Sequence, residues 1–81
     1  MKLDVSKTAL EYINTQDKQM RVRLKLAIEK LPKEPPEGDI KALVGQAPLK
    51  RLRVGNLRVI FYTDANVVRV LKVVPRGQAY K

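Results

Sequence analysis

The sequence contains no cysteine, no histidine and no tryptophan, and its 81 residues include only three tyrosines and one phenylalanine. The missing cysteines exclude disulfides, thiolate nucleophiles and zinc fingers, and the missing histidines exclude imidazole acid–base chemistry. No apolar run is long enough to span a membrane, and the N-terminus has no signal-peptide pattern, so we expect a cytoplasmic protein without a membrane partner. The length predicts one domain, residues 1–81, that needs neither a metal nor a cofactor.

Acidic residues are scarce in the second half of the chain. Residues 1–40 hold eight Lys/Arg and seven Asp/Glu, whereas residues 41–81 hold nine Lys/Arg and a single acid, Asp64, which together give the net charge of +9. Soluble surfaces normally mix both signs, so this half indicates an anion-binding face, and nucleic acid is the favoured partner. The alternative is that these basic residues only keep a strand-rich half soluble.

The first half predicts a short strand followed by two helices. Leu3 to Val5 alternate with polar residues, Ser6 is placed to cap a helix over 7–14, and Asp17 is placed to cap a second helix that Pro32 ends. The second helix carries one apolar stripe, formed by Met20, Leu24, Ala27, Ile28 and Leu31.

The second half predicts strands joined by tight turns. Residues 32–39 are predicted to be a loop, followed by a short docked segment. The runs 49–54 and 57–62 flank Gly55-Asn56, which is typical of a type II′ hairpin, and 67–74 is the most β-prone run. The order β-α-α-β-β-β predicts the α+β class, with two N-terminal helices packed on one face of an antiparallel sheet.

A two-residue hairpin loop fixes which side chains share a face of the sheet. It places Arg53 opposite Arg58, with Arg51 next along, on the face away from the helices. Because like charges opposite each other repel, we predict an anion between them, since a guanidinium can donate two hydrogen bonds to one phosphate. The alternative is that the arginines extend into solvent at little cost. The predicted apolar face consists of Leu52, Val54, Leu57, Val59 and Phe61.

Three segments, in order and with matching spacing, resemble the RelE/ParE toxin superfamily. They are the hairpin Arg51–Tyr62, the preceding Gly38–Leu43, and the closing Val70–Lys81. The resemblance covers nearly the whole chain. It implies a RelE-type toxin of a type II toxin–antitoxin pair, a small basic endoribonuclease that cuts mRNA in the ribosomal A site. Its implied partners are the ribosome, mRNA and an acidic antitoxin protein.

The resemblance also implies site residues. In the implied reaction the 2′-OH attacks the adjacent phosphate, which leaves a 2′,3′-cyclic phosphate and a free 5′-OH. Arg58 and Arg76 would stabilise the charge that develops on the phosphate, and Tyr80 would stack on a base or act as general acid or base. The implied phosphate-binding residues are Lys50, Arg51 and Arg53.

Two departures, arginines in place of two RelE lysines and the absence of the histidine that some ribonuclease members use as general acid, keep other functions open. RelE has lysines where this chain has Arg51 and Arg53, and arginine stays protonated, so Lys50 and Tyr80 are the candidate bases. The alternatives are a weak or ribosome-assisted nuclease, a ParE-type inhibitor of DNA gyrase, and a non-catalytic RNA-binding domain. Each predicts salt-sensitive binding to an acidic partner. The basic residues of the second helix, interpreted as a solvated face in preference to RNA contacts, are Arg21, Arg23 and Lys25.

Overall fold

The computed structural model describes residues 1–77, which form two helices and five strands. None of these helices has the length and apolarity that crossing a membrane requires. In chain order the elements are β1 (Lys2–Val5), α1 (Lys7–Asn14), α2 (Lys18–Glu29), β2 (Asp39–Ala42), β3 (Lys50–Val54), β4 (Leu57–Asp64) and β5 (Val67–Pro75).

Both helices begin at the predicted caps. The Ser6 hydroxyl accepts a hydrogen bond from the backbone N–H of Ala9 at 3.0 Å, and a carboxylate oxygen of Asp17 accepts one from Met20 at 2.8 Å. Each side chain satisfies a donor that the first helical turn leaves without a partner, which typically stabilises a helix by about 1 kcal/mol. The caps therefore fix where α1 and α2 start and how they approach the sheet.

The sheet is mixed, with strand order β1-β5-β4-β3-β2. Strands β2 to β5 pair antiparallel, as predicted, but β1 pairs parallel with β5. No tight turn joins β1 to β5, so no hairpin dictates an antiparallel direction at this edge. The predicted docked segment is a full strand, β2, which forms the opposite edge. The predicted α+β fold with two N-terminal helices on a sheet is thus confirmed, with a mixed sheet of five strands.

The β3–β4 hairpin has the predicted register. Val54 pairs with Leu57 and Arg53 with Arg58 across the turn, where Gly55 takes the predicted positive φ of +60°. Alternate residues of both strands, Leu52, Val54, Leu57, Val59 and Phe61, point toward the helices and form the sheet side of the main core. Its buried members are Ala9, Leu24, Ile28, Leu31, Leu52, Val54, Leu57, Val59, Phe61, Val68, Val70 and Val73.

The face away from the helices holds a second, smaller apolar cluster. Leu43 and Ile60 are buried there, and Leu49 and Val74 pack against them. The Leu43 N–H donates to the Leu49 carbonyl at 3.0 Å, which closes the β2–β3 connection over this face. Because this apolar cluster covers part of the face, the face is not fully exposed to solvent. The stem of a charged side chain can be buried there.

Candidate nucleic-acid interface

Arg58 is buried on the face of the sheet that the sequence predicts to be basic. Arg58 keeps only 5% of its surface exposed, whereas the side chain of Arg53, its partner in the ladder, is 52% exposed. The alternative in which both arginines extend into solvent is therefore wrong for Arg58. Val74, its other ladder neighbour, belongs to the small apolar cluster, so the guanidinium of Arg58 lies in surroundings that disfavour an isolated charge.

The Arg58 guanidinium has few partners. One terminal nitrogen, Nη1, donates to the carbonyl of Leu57 at 3.1 Å, and the buried Nε has no hydrogen-bond partner. Within residues 1–77 no carboxylate forms an ion pair with it. Burying a cation without a counter-ion or a full set of acceptors opposes folding, so such a group indicates a site that an anion completes.

The other arginines of β3 to β5 are each neutralised by an acid. Arg51 and Arg53 share Asp39, and Arg69 on β5 contacts Asp4 at 2.9 Å and Asp64 at 3.8 Å. Within the described part of these strands, Arg58 is thus the arginine without a carboxylate. Arg69 is thus compensated within the fold, whereas Arg58 is not compensated by any carboxylate of residues 1–77.

Asp39 is the residue of this site that sequence reasoning missed. Arg51 Nη1 donates to the Asp39 carbonyl at 2.8 Å and lies 3.3 Å from Oδ1, while Arg53 Nε lies 3.2 Å from Oδ2. Arg51 itself is 5% exposed, so this acid compensates a buried charge. Asp39 was placed in a loop because acids and prolines surround it. The alternation of Asp39, Lys41 and Leu43 on one face is the signal that would have found it.

The pKa of Asp39 is lowered from its ordinary value of 3.8, chiefly by the hydrogen bond from Arg51. Partial burial acts in the opposite direction, and the charges of Arg51, Arg53 and Lys41 add to the lowering. A carboxyl whose pKa is lower in the folded state stabilises the fold above its unfolded pKa. That contribution is lost as the pH falls through the folded value.

This shift predicts how acid affects an Asp39→Asn variant. Near neutral pH we expect the variant to unfold at lower urea concentration than the wild type, because Arg51 loses its counter-charge. Between about pH 4 and pH 2 the two midpoints should converge, since the wild-type carboxyl is then protonated as well. Urea unfolding across this pH range measures both midpoints. If the difference between them persists at the acid end, the loss of stability in the variant comes from the changed shape of the side chain and not from its lost charge.

The remaining predicted site residues are not all brought together. Lys50 pairs with Phe61 and shares the face of Leu52, so it lies exposed on the helix side of the sheet, away from Arg58. The structure therefore separates Lys50 from Arg51, Arg53 and Arg58, the other strand residues of the predicted set. The Arg76 N–H donates to the carbonyl of Asn56 at 2.9 Å, which places its backbone beside the hairpin turn. Tyr80 lies outside the described residues.

Within residues 1–77 no three acidic side chains converge in a way that would hold a metal ion. The chain is a small α+β protein whose sheet carries a buried arginine with no carboxylate partner among residues 1–77. Residues 4–80 match the family described as ParE toxin of type II toxin-antitoxin system, parDE. The chain belongs to this toxin family, and the predicted membership of the RelE/ParE superfamily is confirmed.

Solved structures of toxins in this superfamily share the fold. RelE in the RelB–RelE antitoxin–toxin complex from Methanococcus jannaschii is 25% identical, with a TM-score of 0.78, over 95% of this chain and 94% of that chain. The isolated RelE toxin of E. coli is 21% identical, with a TM-score of 0.75, over 98% and 89% of the two chains. At that identity the likeness is one of fold. No curated protein sequence is significantly similar to this chain.

Proposed function

We propose that this toxin is a ribosome-dependent endoribonuclease that cuts mRNA in the A site and so inhibits translation. The observation that carries the proposal is the buried Arg58 guanidinium, which no carboxylate within residues 1–77 neutralises and which lies opposite Arg53. A phosphate group supplies the charge and the acceptors that Arg58 lacks. Cleavage creates extra negative charge on phosphorus in the transition state, where a fixed cation is most effective.

The proposed reaction needs no group beyond the chain and the RNA. The 2′-oxygen forms a bond to phosphorus, the bond from phosphorus to the 5′-oxygen breaks, and a proton passes from the 2′-OH to the leaving oxygen by way of an acid–base group. Arg58 and Arg76 stabilise the phosphate, and Arg53 holds a flanking one. Tyr80 remains the proposed acid–base group, because Lys50 lies on the opposite face.

An acidic antitoxin is the proposed protein partner. An apolar groove of about 600 Å³ runs between α1, α2 and β1, and the half-exposed Leu10 and Val22 line it. Its rim carries Lys18, Arg21 and Lys25 against the single acid Glu29, so the groove complements an amphipathic helix with acidic flanks. The antitoxin of this proposal buries that helix in the groove, and an acidic segment of it covers the basic sheet.

A mutation in the groove should separate antitoxin binding from RNA binding on the sheet. A Val22→Glu variant should lose most antitoxin affinity, at least about a hundredfold, because an acidic side chain enters an apolar contact beside acidic flanks. Its RNA binding should stay unchanged, since Val22 lines the apolar groove and lies away from the arginines of the sheet. Calorimetric titration with the antitoxin and anisotropy with labelled RNA measure the two effects. Equal loss of both ligands, or none, would contradict this division.

Mapping of mRNA ends on translating ribosomes tests the nuclease. The wild type should leave cuts within the A-site codon, with 2′,3′-cyclic phosphate and 5′-OH ends, and Arg58→Met should leave the mRNA intact. Arg69→Gln is the matched control, because Arg69 is a strand arginine that already has two acids. Intact mRNA with the wild-type protein would overturn the proposal, and RNA binding without cleavage would leave only the non-catalytic alternative.

Inhibition of DNA gyrase is the second candidate, and the match to the ParE family favours it. In this case the basic sheet contacts the enzyme or its DNA, and the chain does not cleave RNA. A supercoiling assay with purified gyrase separates the two functions. Inhibited supercoiling together with intact mRNA would assign the toxin to gyrase, whereas unaffected supercoiling would exclude this candidate.

A further inference from the structure

A cleft of about 560 Å³ lies between α2 and the end of the β3–β4 hairpin, next to the arginines of the sheet. Three cations from two places in the chain line it. Arg23 and Lys30 lie on the α2 side, and Arg53 of β3 lines the cleft at the sheet. The half-exposed Leu26 and the edge of Val54 supply apolar surface between them.

Arg23 is held at the mouth of this cleft by the hairpin turn. Its Nη1 atom lies 3.4 Å from the position that a Cβ on Gly55 would occupy. The methyl group of Met20 lies 3.2 Å from that same position. The turn therefore packs directly beneath the guanidinium. Lys30 is seven residues further along the chain, two helical turns or about 10.5 Å along the helix axis, on the same side of α2.

Among the described residues, Arg23 and Lys30 have no ion-pair partner, whereas the acids of the cleft are already paired. Glu37 lies 3.5 Å from Lys33, and Asp39 holds Arg51 and Arg53. The cleft thus presents two unpaired positive charges at a fixed spacing beside an apolar surface.

We propose that this cleft is a second nucleic-acid subsite, in which Arg23 and Lys30 bind backbone phosphates of a single strand whose adjoining segment lies at Arg58. The inference rests on the proposed function, because it extends the same RNA strand from the sheet around the hairpin turn. Arg53 lines the cleft and is paired with Arg58, so it connects the two subsites. One base of the strand packs on the apolar surface near Leu26, while the phosphates on either side of it contact Arg23 and Lys30. Arg23 is then a ligand-binding residue, not part of a solvated helix face.

Binding of labelled RNA to the purified protein tests the subsite. The probes are a trinucleotide, long enough for the Arg58 site alone, and a single strand of about ten nucleotides that reaches both subsites. A double variant, Arg23→Gln with Lys30→Gln, should bind the long RNA about tenfold more weakly. Its plot of log K against log salt should be shallower by about 1.4, because each phosphate contact to a single strand contributes about 0.7. Its trinucleotide affinity should not change.

Arg21→Gln is the matched control for this experiment. Arg21 lies on the same helix and is exposed, but its guanidinium donates to the Gln16 carbonyl at 2.8 Å and lines the other groove. It should bind both RNAs like the wild type. The subsite is overturned if the double variant also behaves like the wild type, if it loses affinity for both RNAs equally, or if it loses affinity only for an acidic decaglutamate peptide. Absence of RNA binding by the wild type would overturn this inference, whereas the proposed function fails only if the mRNA on translating ribosomes stays intact.

Discussion

Replacing Arg58 with methionine is expected to make the protein more stable while removing its activity. Methionine has a similar length and no charge, so it fills the buried site without an uncompensated cation and without an unpaired Nε donor. We expect the free energy of unfolding to rise by about 1–2 kcal/mol. For a domain of this size that is a rise of roughly 5–10 °C in the melting temperature, measurable by circular dichroism.

Arg53→Met is the control for this result. The two arginines are ladder partners, but Arg53 is half exposed and contacts Asp39 at 3.2 Å. Its replacement should change the free energy of unfolding by no more than about 0.5 kcal/mol. A loss of stability above 1 kcal/mol in Arg58→Met would contradict the view that this guanidinium lacks compensation in the free protein.

Replacing Gly38 with alanine should have the largest destabilising effect among the glycines. Gly38 has a φ of +135°, which alanine rarely adopts, and an added Cβ would lie 2.6 Å from Cδ1 of Leu52. Leu52 is buried in the main core, so moving its side chain aside would disturb the packing there. Backbone strain and overpacking together should cost about 3 kcal/mol. Urea unfolding measures this loss directly.

Gly45→Ala separates the cost of backbone strain from the cost of the contact with Leu52. Gly45 also has a positive φ, +69°, but no atom lies within 4 Å of an added Cβ. It should therefore lose only about 1 kcal/mol, from the backbone alone. Similar losses at both positions would show that the contact with Leu52 is unimportant. Because Gly38 precedes Asp39, the Gly38 variant should also weaken the contact between Asp39 and Arg51.

The parts of the fold that local chemistry decides were predictable from the sequence. The caps at Ser6 and Asp17 act within one helical turn, and the Gly55-Asn56 turn fixes the register of the residues that flank it. The alternation of side chains then placed Arg53 opposite Arg58. Each of these features depends on residues a few positions apart.

The burial of the arginines was not predictable in this way. Arg58 and Arg51 are buried on the face that also holds the small cluster of Leu43, Ile60, Leu49 and Val74, which distant segments bring together. Asp39 compensates Arg51 because β2 adds to the edge of the sheet, and that edge joins segments twelve residues apart. The contact of Arg23 with the hairpin turn depends on how α2 crosses the sheet. Tertiary packing, and not local pattern, decides which charges are paired.

We propose that a nucleic-acid phosphate compensates the buried charge of Arg58. The most direct test compares the melting temperatures of the wild type and Arg58→Met with and without a 2′-O-methyl trinucleotide, which cannot be cleaved. Without RNA the variant should be the more stable protein. At about 100 times the dissociation constant, RNA should stabilise the wild type by about 2.7 kcal/mol and leave the variant almost unchanged, so that their order reverses. Equal stabilisation of both proteins by the RNA would contradict the claim.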